Sequence, residues 1–134
     1  MTAMNAAQLD LALASMEAVQ RDYESPIELI FGMAAALTVA GLGMRLVPQY
    51  CLDRFRYDFA VTGLSGDFVF ALVECDGKEF HSSPDQRAND RCKDAAAKAA
   101  GIIIVRFSGA AIHNETQRCA ADLAGHIRLA WRMP

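Results

Sequence analysis

The chain has no surplus of positive charge. Its 134 residues include 13 lysines and arginines against 16 aspartates and glutamates, which gives a net charge of −3. A protein that binds nucleic acid through charge alone has the opposite balance, so any such binding must use a local basic patch. Hydrophobic residues make up 53% of the chain and charged residues 22%, which excludes a disordered protein. These numbers predict a single globular domain over residues 1–134.

The sequence also lacks a membrane-spanning run and a set of metal-binding cysteines. The charge-free stretch 29–44 has 16 residues and three glycines, which is too short to span a bilayer. The N-terminal residues show neither the basic region nor the cleavage site of a signal peptide, so we expect a cytoplasmic protein with no membrane partner. The four cysteines are too far apart to form a zinc-ligand pair, and we expect reduced, buried thiols.

Periodicity and helix breakers predict four helices and four strands. Ser25, Pro26 and Glu28 form the start signal of the second helix, and Gly41 ends it. Pro48 cannot donate to a strand ladder, so its strand should lie at a sheet edge. The strand at 68–75 is apolar on both faces and should be central. The predicted helices cover 7–20, 26–40, 85–100 and 109–130, and the predicted strands cover 44–50, 55–62, 68–75 and 102–107.

The order α-α-β-β-β-α-β-α predicts an α/β fold with a mixed sheet. A helix connects the last two strands, which is typical of one parallel pair. In the strand at 55–62, strict alternation places Phe55, Tyr57, Phe59 and Val61 on one face and Arg56, Asp58 and Ala60 on the other. In the last helix, the expected packing positions are Ile112, Leu123, Ile127 and Trp131.

Acidic side chains occupy two of the predicted strands. Asp58 lies within the strand at 55–62, Glu74 lies near the end of the strand at 68–75, and Asp76 follows. Glu74 and Asp76 should point to the same side, which Asp58 can reach from an antiparallel neighbour. Such a cluster repels itself unless it holds a cation, and Mg²⁺ prefers oxygen ligands. The alternative is that Glu74 and Asp76 end a strand and form salt bridges to Arg56 or Lys78.

Three further residues are candidates for roles beside these acids. Glu28 completes the capping box of the second helix, and it can also project toward the acids as a metal ligand. His81 follows the acids and can exchange protons near neutral pH, or it merely bonds to loop backbone. Lys93 can contact a phosphate group, or it lies on a solvated helix face paired with Asp90 or Asp94.

These residues resemble the PD-(D/E)xK nuclease superfamily, in particular the branch of very-short-patch-repair endonucleases and their small relatives. That branch carries an R-x-D-F block, a V-E-x-D-G-x-x-F-H block and a third block that begins D-x-x-R-D and ends R-F. A helix that carries an acid precedes the blocks, as Ser25–Glu28 does here. The matching residues are Arg56–Phe59, Val73–Gly77, Phe80, His81, Asp90, Asp94, Gly101, Val105, Arg106 and Phe107.

The resemblance implies a restriction-endonuclease-like αβββαβ core over about residues 24–108, with flanking helices at both ends. It implies a metal-dependent endonuclease that hydrolyses DNA, in repair, restriction or a mobile element. The implied cofactor is Mg²⁺ or Mn²⁺, with Asp58, Glu74, Asp76 and Glu28 as its ligands. The implied catalytic residues are Asp58, Glu74, Asp76, His81 and Lys93.

One departure from the superfamily concerns its strand lysine, which is replaced by Asp76, as in this branch. The catalytic cation must then come from Lys78, Lys93 or Arg106, unless His81 and the metal act alone. Arg56, Lys78 and Arg106 are the candidates for contacts to the substrate. The zinc-binding residues of true mismatch-repair members have no clear counterpart, so mismatch recognition is not carried over.

Two other functions stay open. One is a catalytically inactive module that keeps the nuclease fold and binds DNA or protein, which the negative net charge and the missing lysine favour. The other is a subunit that forms a homodimer through the apolar stripe of its first helix. No base-reading motif indicates a preferred sequence, so DNA and RNA substrates are not distinguished.

Overall fold

The computed structural model describes residues 3–76 and 83–134. Within these residues, the bounds of the first seven elements agree with the predicted bounds to within two residues. Glycine and proline breakers mark most of these bounds, which is why they could be located. The helices are α1 (Ala6–Asp22), α2 (Pro26–Ala40), α3 (Pro84–Ala99), α4 (Gly109–Asn114) and α5 (Thr116–Ala130), and the strands are β1 (Arg45–Leu52), β2 (Phe55–Thr62), β3 (Val69–Asp76) and β4 (Ile103–Ser108).

The four strands form one mixed sheet in the order β1-β2-β3-β4. β1 pairs with β2 and β2 with β3 in antiparallel fashion, whereas β3 and β4 are parallel and joined by α3. The strand that carries Pro48 lies at an edge and β3 lies inside the sheet, as predicted. The mixed sheet with flanking helices confirms the predicted fold class and is consistent with a restriction-endonuclease-like fold.

Helices cover both faces of the sheet. α1, α2, α4 and α5 pack on one face, where the core includes Phe31, Phe59, Val73 and Leu123. A smaller apolar cluster lies on the other face under α3 and includes Tyr57, Ala60, Leu72 and Ala97. Within the described residues, four helices therefore cover one face of the sheet and α3 covers the other.

The predicted helix over 109–130 is wrong in one respect, because it is two helices. Glu115 leaves the helical conformation, with φ −141° and ψ 54°, and separates α4 from α5. No glycine or proline marks this break, so the sequence pattern did not reveal it. Ile112, Leu123 and Ile127 are fully buried as predicted, whereas Trp131 is partly exposed and packs edge-on against two phenylalanines.

The predicted face of Tyr57 is also wrong. Phe59 and Val61 belong to the core under α1 and α2, whereas Tyr57 packs with Leu72 under α3. The pairing of β1 with β2 skips Gln49 and the residue opposite to it. Regular alternation of side chains is broken at this point, and Tyr57 turns to the other side of the sheet.

No helix in the described ranges is long and apolar enough to cross a membrane. The charge-free stretch 29–44 forms most of α2 and the turn that follows it. The cysteines are free thiols, but only Cys119 is buried. Cys51 and Cys92 are exposed, contrary to prediction, because they lie on an edge strand and on a helix with a solvent face.

Gly32 allows α2 to pack closely against its neighbours. A Cβ atom at this position would lie 2.6 Å from Val19 Cγ1 and 2.9 Å from Phe59 Cζ. Both neighbours are fully buried and stiff, so neither can give way easily. The absence of a side chain at Gly32 therefore sets the distance between α1, α2 and β2.

We predict that Gly32→Ala lowers the free energy of unfolding by about 1–3 kcal/mol, because the added methyl overpacks the core. Gly125→Ala is the matched control, since nothing lies within 4 Å of a Cβ there. That change should raise stability by up to about 1 kcal/mol, since alanine favours a helix interior. Urea unfolding measures both, and equal effects of the two changes would contradict the packing argument.

Candidate active site at the end of the central strands

A cleft of about 270 Å³ opens at the C-terminal end of β3, beside α3. Ser83 caps α3 and Pro84 occupies its first turn, so the helix starts close to this end of the sheet. Residues about one turn apart on α3 therefore face the strand ends. The cleft is lined by Asp58, Glu74, Cys75, Asp76, Gln86, Asn89, Asp90 and Lys93.

The structure brings Asp58 and Glu74 together, because each carboxylate accepts a hydrogen bond from the backbone of the other residue's strand. The backbone N–H of Asp58 donates to Glu74 Oε1 at 3.1 Å, and the N–H of Cys75 donates to Asp58 Oδ2 at 2.7 Å. The regular pairing of β2 with β3 ends just before this point, at Phe59 and Val73. Two carboxylates thus accept hydrogen bonds from N–H groups that would otherwise bond to backbone carbonyls of the neighbouring strand.

The site holds more negative than positive charge. Burial, together with the charges of Glu74 and Glu28, raises the pKa of Asp58 to about 7, against the opposing effects of the Cys75 N–H and Lys93. Burial also raises the pKa of Glu74, although Lys93 counteracts this shift. A cation bound between these groups would relieve both effects.

Lys93 lies inside the cleft instead of on a solvated helix face. Its Nζ is 3.1 Å from Glu74 Oε2, and the two side chains are only 13% and 10% exposed. The ammonium group also lies 5.1 Å from the ring centroid of Tyr57. The Tyr57 hydroxyl donates to the backbone carbonyl of Lys93 at 2.8 Å, so Tyr57 fixes both ends of this lysine.

Of the other predicted cations within the described residues, Arg106 and Arg56 do not line the cleft. Arg106 Nη1 contacts Asp94 Oδ1 at 2.6 Å, which joins β4 to α3, and its Nε and Nη2 atoms are buried without a partner in the described residues. Arg56 pairs with Glu24 on the surface instead of with Glu74. Asp76 is exposed at the rim of the cleft. Lys78 and His81 lie outside the described residues.

Glu28 is buried and is not among the residues that line the cleft, whereas its predicted role in the helix cap is confirmed. The Ser25 hydroxyl donates to Glu28 Oε2 at 3.0 Å and accepts from the Glu28 backbone N–H, so the helix cap is formed. Gln49 Nε2 donates to Glu28 Oε1 at 2.7 Å. The charge of Glu28 acts on Asp58 by raising its pKa, so the two carboxylates share one electrostatic environment.

Gln49 was not among the residues predicted for the site. It is a polar residue in an otherwise largely apolar strand, directly after Pro48, and this is the only local signal that marks it. Its contact with Glu28 spans 21 residues of sequence and depends on how α2 meets β1. A period-based analysis of one strand does not reveal such a contact.

The donor chemistry of the cleft fits a hard divalent cation. Asp58 and Glu74 offer carboxylate oxygens, each with lone pairs beyond those used in the hydrogen bonds described. Among residues 3–76 and 83–134, no three acidic, histidine or cysteine side chains already converge as a metal cage. Two carboxylates suffice for Mg²⁺, which keeps several waters and shares its remaining positions with substrate phosphates.

Comparison with known protein families agrees with this geometry. A sequence model of the restriction-endonuclease-like family REase_MTES_1575 matches residues 31–127. The chain belongs to this family. No curated protein and no solved structure shows a significant match.

The REase_MTES_1575 match includes the main cleft residues Asp58, Glu74, Asp76 and Lys93, and both strand ends that hold them. Glu28 lies just before the first matched residue. Membership of this family supports a nuclease of the restriction-endonuclease-like kind. The acidic cleft within the matched residues lies where β2 and β3 part.

We predict that Asp58→Asn stabilises the metal-free protein at pH 8, on the order of 1–2 kcal/mol. The folded-state pKa of Asp58 is about 7 against an ordinary value of 3.8, so the unfolded chain loses this proton first as the pH rises. The destabilising effect of Asp58 therefore grows between pH 4 and pH 7 and is complete above pH 7. Asparagine carries no charge, so the gain should be large at pH 8 and absent at pH 4.

Thermal melts in a chelator between pH 4 and pH 8 measure this difference. Asp67→Asn is the matched control, because Asp67 is exposed and lies between β2 and β3 at the end of these strands away from the cleft. A stabilisation by Asp58→Asn that is equal at both ends of the pH range would show that charge burial is not its cause.

Proposed function

We propose that this protein is a metal-dependent endonuclease that hydrolyses phosphodiester bonds in DNA. The observation that carries the proposal is the pairing of Asp58 and Glu74 across the parted ends of β2 and β3, with an excess of negative charge. Family membership over residues 31–127 supports the same chemistry. The order of the three sequence blocks supports placement in the branch that resembles very-short-patch-repair endonucleases.

Asp58 and Glu74 are the proposed ligands of Mg²⁺ or Mn²⁺, and Asp76 at the rim is the third candidate. When bound, the cation would supply an activated water and stabilise the charge that develops on the phosphate. Asp58 is held by the Cys75 N–H, and Glu74 by the Asp58 N–H. Backbone atoms fix both carboxylates, so the site needs little rearrangement before catalysis.

Lys93 is the proposed replacement for the strand lysine of the superfamily. It reaches Glu74 from α3, which forms the opposite wall of the cleft. From this position its ammonium group can donate to a phosphate oxygen beside the carboxylates. Gln86 and Asn89 line the same wall closer to solvent and offer neutral polar groups to the nucleic acid backbone.

Arg106 and Arg56 have weaker support as substrate contacts. Arg106 is engaged with Asp94, and we propose that it holds α3 on β4 instead of touching DNA. Arg56 is exposed and paired with Glu24, so it can meet substrate only by exchanging that partner. Lys78 and His81 keep the roles that the sequence predicts for them.

A catalytically inactive module is the second candidate, and the Lys93–Glu74 ion pair favours it. This pair already neutralises part of the acidic cluster, so the fold does not need a metal to hold these groups. Such a protein would keep the fold and bind DNA or protein without cleavage. The homodimer hypothesis has separate support, since Leu9 and Leu13 of α1 are exposed on one side of the helix.

We predict that the protein nicks supercoiled plasmid in the presence of Mg²⁺ or Mn²⁺ and that a chelator stops the reaction. Glu74→Gln should reduce the rate at least about 100-fold, because it removes a charged ligand and keeps the shape of the side chain. Asp67→Asn should cleave like the parent protein. Circular dichroism confirms that each variant is folded. Undiminished cleavage by folded Glu74→Gln would remove Glu74 from the metal site, and no cleavage by the parent protein would favour the inactive module.

We predict that Lys93→Met lowers kcat about 100-fold with little change in KM for DNA, since the ammonium group acts at the reacting phosphate. Lys93→Arg should restore part of the rate, because it returns the positive charge with a different geometry. Lys98→Met is the matched control, because Lys98 lies exposed on the same helix. A rise in KM alone would show instead that Lys93 only binds DNA.

A further inference from the structure

Gln49 has a strained backbone in the middle of β1. Its φ angle is 53°, in the left-handed region that residues other than glycine rarely occupy. A conformation of this kind is unfavourable and persists only when the surrounding structure imposes it. The pairing of β1 with β2 skips Gln49 and Asp58, so both residues of the missing pair are directed to other partners.

In this conformation, the side chain of Gln49 contacts Glu28. Its amide Nε2 donates to Glu28 Oε1 at 2.7 Å, while the Ser25 hydroxyl donates to Glu28 Oε2 at 3.0 Å. Glu28 is only 7% exposed. Each carboxylate oxygen therefore has a neutral donor, and within the described ranges no lysine or arginine forms an ion pair with Glu28.

The neutrality of these donors matters for a cation site. A lysine or arginine in place of Gln49 would fix Glu28 equally well but would cancel its charge. Because its donors are neutral, Glu28 adds one formal negative charge to the acidic residues of the cleft, which Lys93 offsets only in part. Without Glu28 the negative charge would be smaller by one, and the attraction for a divalent cation would be weaker.

We infer that Gln49 is a positioning residue of the proposed metal site, where it holds Glu28 uncompensated behind Asp58 and so raises the affinity for a divalent cation. The inference rests on the proposed function. Gln49 itself touches neither metal nor substrate and acts through Glu28. Gln49 lies opposite Asp58 in the register of β1 and β2, and its hydrogen bond to Glu28 therefore places this carboxylate beside the site.

The competing explanation is that the Gln49–Glu28 hydrogen bond only joins β1 to α2. In that case, removing the amide should destabilise the fold and leave cation binding unchanged. The two explanations therefore predict opposite patterns for stability and for metal affinity. Gln49→Gly separates them, because glycine removes the amide donor and also relieves the strained φ angle.

The experiment is calorimetric titration of the full chain with Mn²⁺, together with thermal melts of the metal-free protein. We expect Gln49→Gly to weaken Mn²⁺ binding about tenfold without lowering the melting temperature. Gln49→Asn tests the side chain separately, since asparagine tolerates a left-handed backbone but is one methylene too short to reach Glu28. It should weaken binding to a similar extent, and it serves as the second variant if Gln49→Gly fails to fold.

Two controls make the result specific. Glu28→Gln should weaken Mn²⁺ binding by a similar factor, and the double variant with Gln49→Gly should be no weaker than Glu28→Gln alone, because both act through one group. Gln8 on α1 has a comparable amide donor, which bonds to the Gly41 carbonyl at 3.2 Å, and Gln8→Ala should leave Mn²⁺ binding unchanged.

In cleavage assays, Gln49→Gly should raise the Mn²⁺ concentration for half-maximal rate and leave kcat at saturating Mn²⁺ within about threefold.

The outcomes distinguish the inference from the function on which it rests. Mn²⁺ binding by the parent protein with equal affinity in Gln49→Gly and Gln49→Asn overturns the role of Gln49 and leaves the nuclease proposal standing. A lowered melting temperature with unchanged Mn²⁺ affinity also overturns it and assigns Gln49 to the fold. Absence of Mn²⁺ binding and cleavage in the parent protein overturns both proposals together.

Discussion

The candidate site depends on an exchange of hydrogen-bond partners between two strands. At the ends of β2 and β3, carboxylates accept from backbone N–H groups that would otherwise bond to carbonyls. This exchange lets the strands part without leaving buried donors unpaired, which would be costly. It also fixes each acid to the main chain of the neighbouring strand. The cleft, the position of Lys93 and the turn of Tyr57 under α3 are all arranged around this point.

The same exchange places two negative charges close together, and the surrounding helices supply only part of the positive charge needed to balance them. Two carboxylates are drawn into a partly buried cleft, and Lys93 pairs with one of them. Asp58 is left with a strongly raised pKa, since burial and two further negative charges act on it. The positive charge of Lys93 thus balances the acidic pair only in part. Groups in such an imbalance are typical of functional sites.

Much of the fold can be predicted from the sequence, because the residues that start or end helices and strands, and the apolar runs between them, are local signals. The Ser25–Pro26–Glu28 start of α2, Gly101 before β4 and the apolar run of β3 each depend on few residues. The acids were found for a similar reason, since a carboxylate within an apolar strand is conspicuous. The break at Glu115 carries no such signal and was missed.

The missed features of the site depend on contacts distant in sequence. The face of Tyr57 depends on how β1 meets β2, and its hydroxyl bonds to a carbonyl 36 residues away. The orientation of Lys93 toward Glu74 requires the position of α3 over β3. The left-handed conformation of Gln49 is imposed by the surrounding structure, because glutamine has no preference for it. Sequence patterns locate the chemical groups, whereas packing decides which of them meet.

The shielding of the Lys93–Glu74 pair has a consequence for behaviour in different buffers. Both side chains are nearly enclosed, so dissolved ions screen their attraction far less than they screen charges on the surface. Raising the ionic strength should then weaken the first encounter with a polyanion while the interior of the cleft keeps its arrangement. A salt titration of DNA binding and of cleavage by pre-bound complexes would thus separate capture of the nucleic acid from the chemical step.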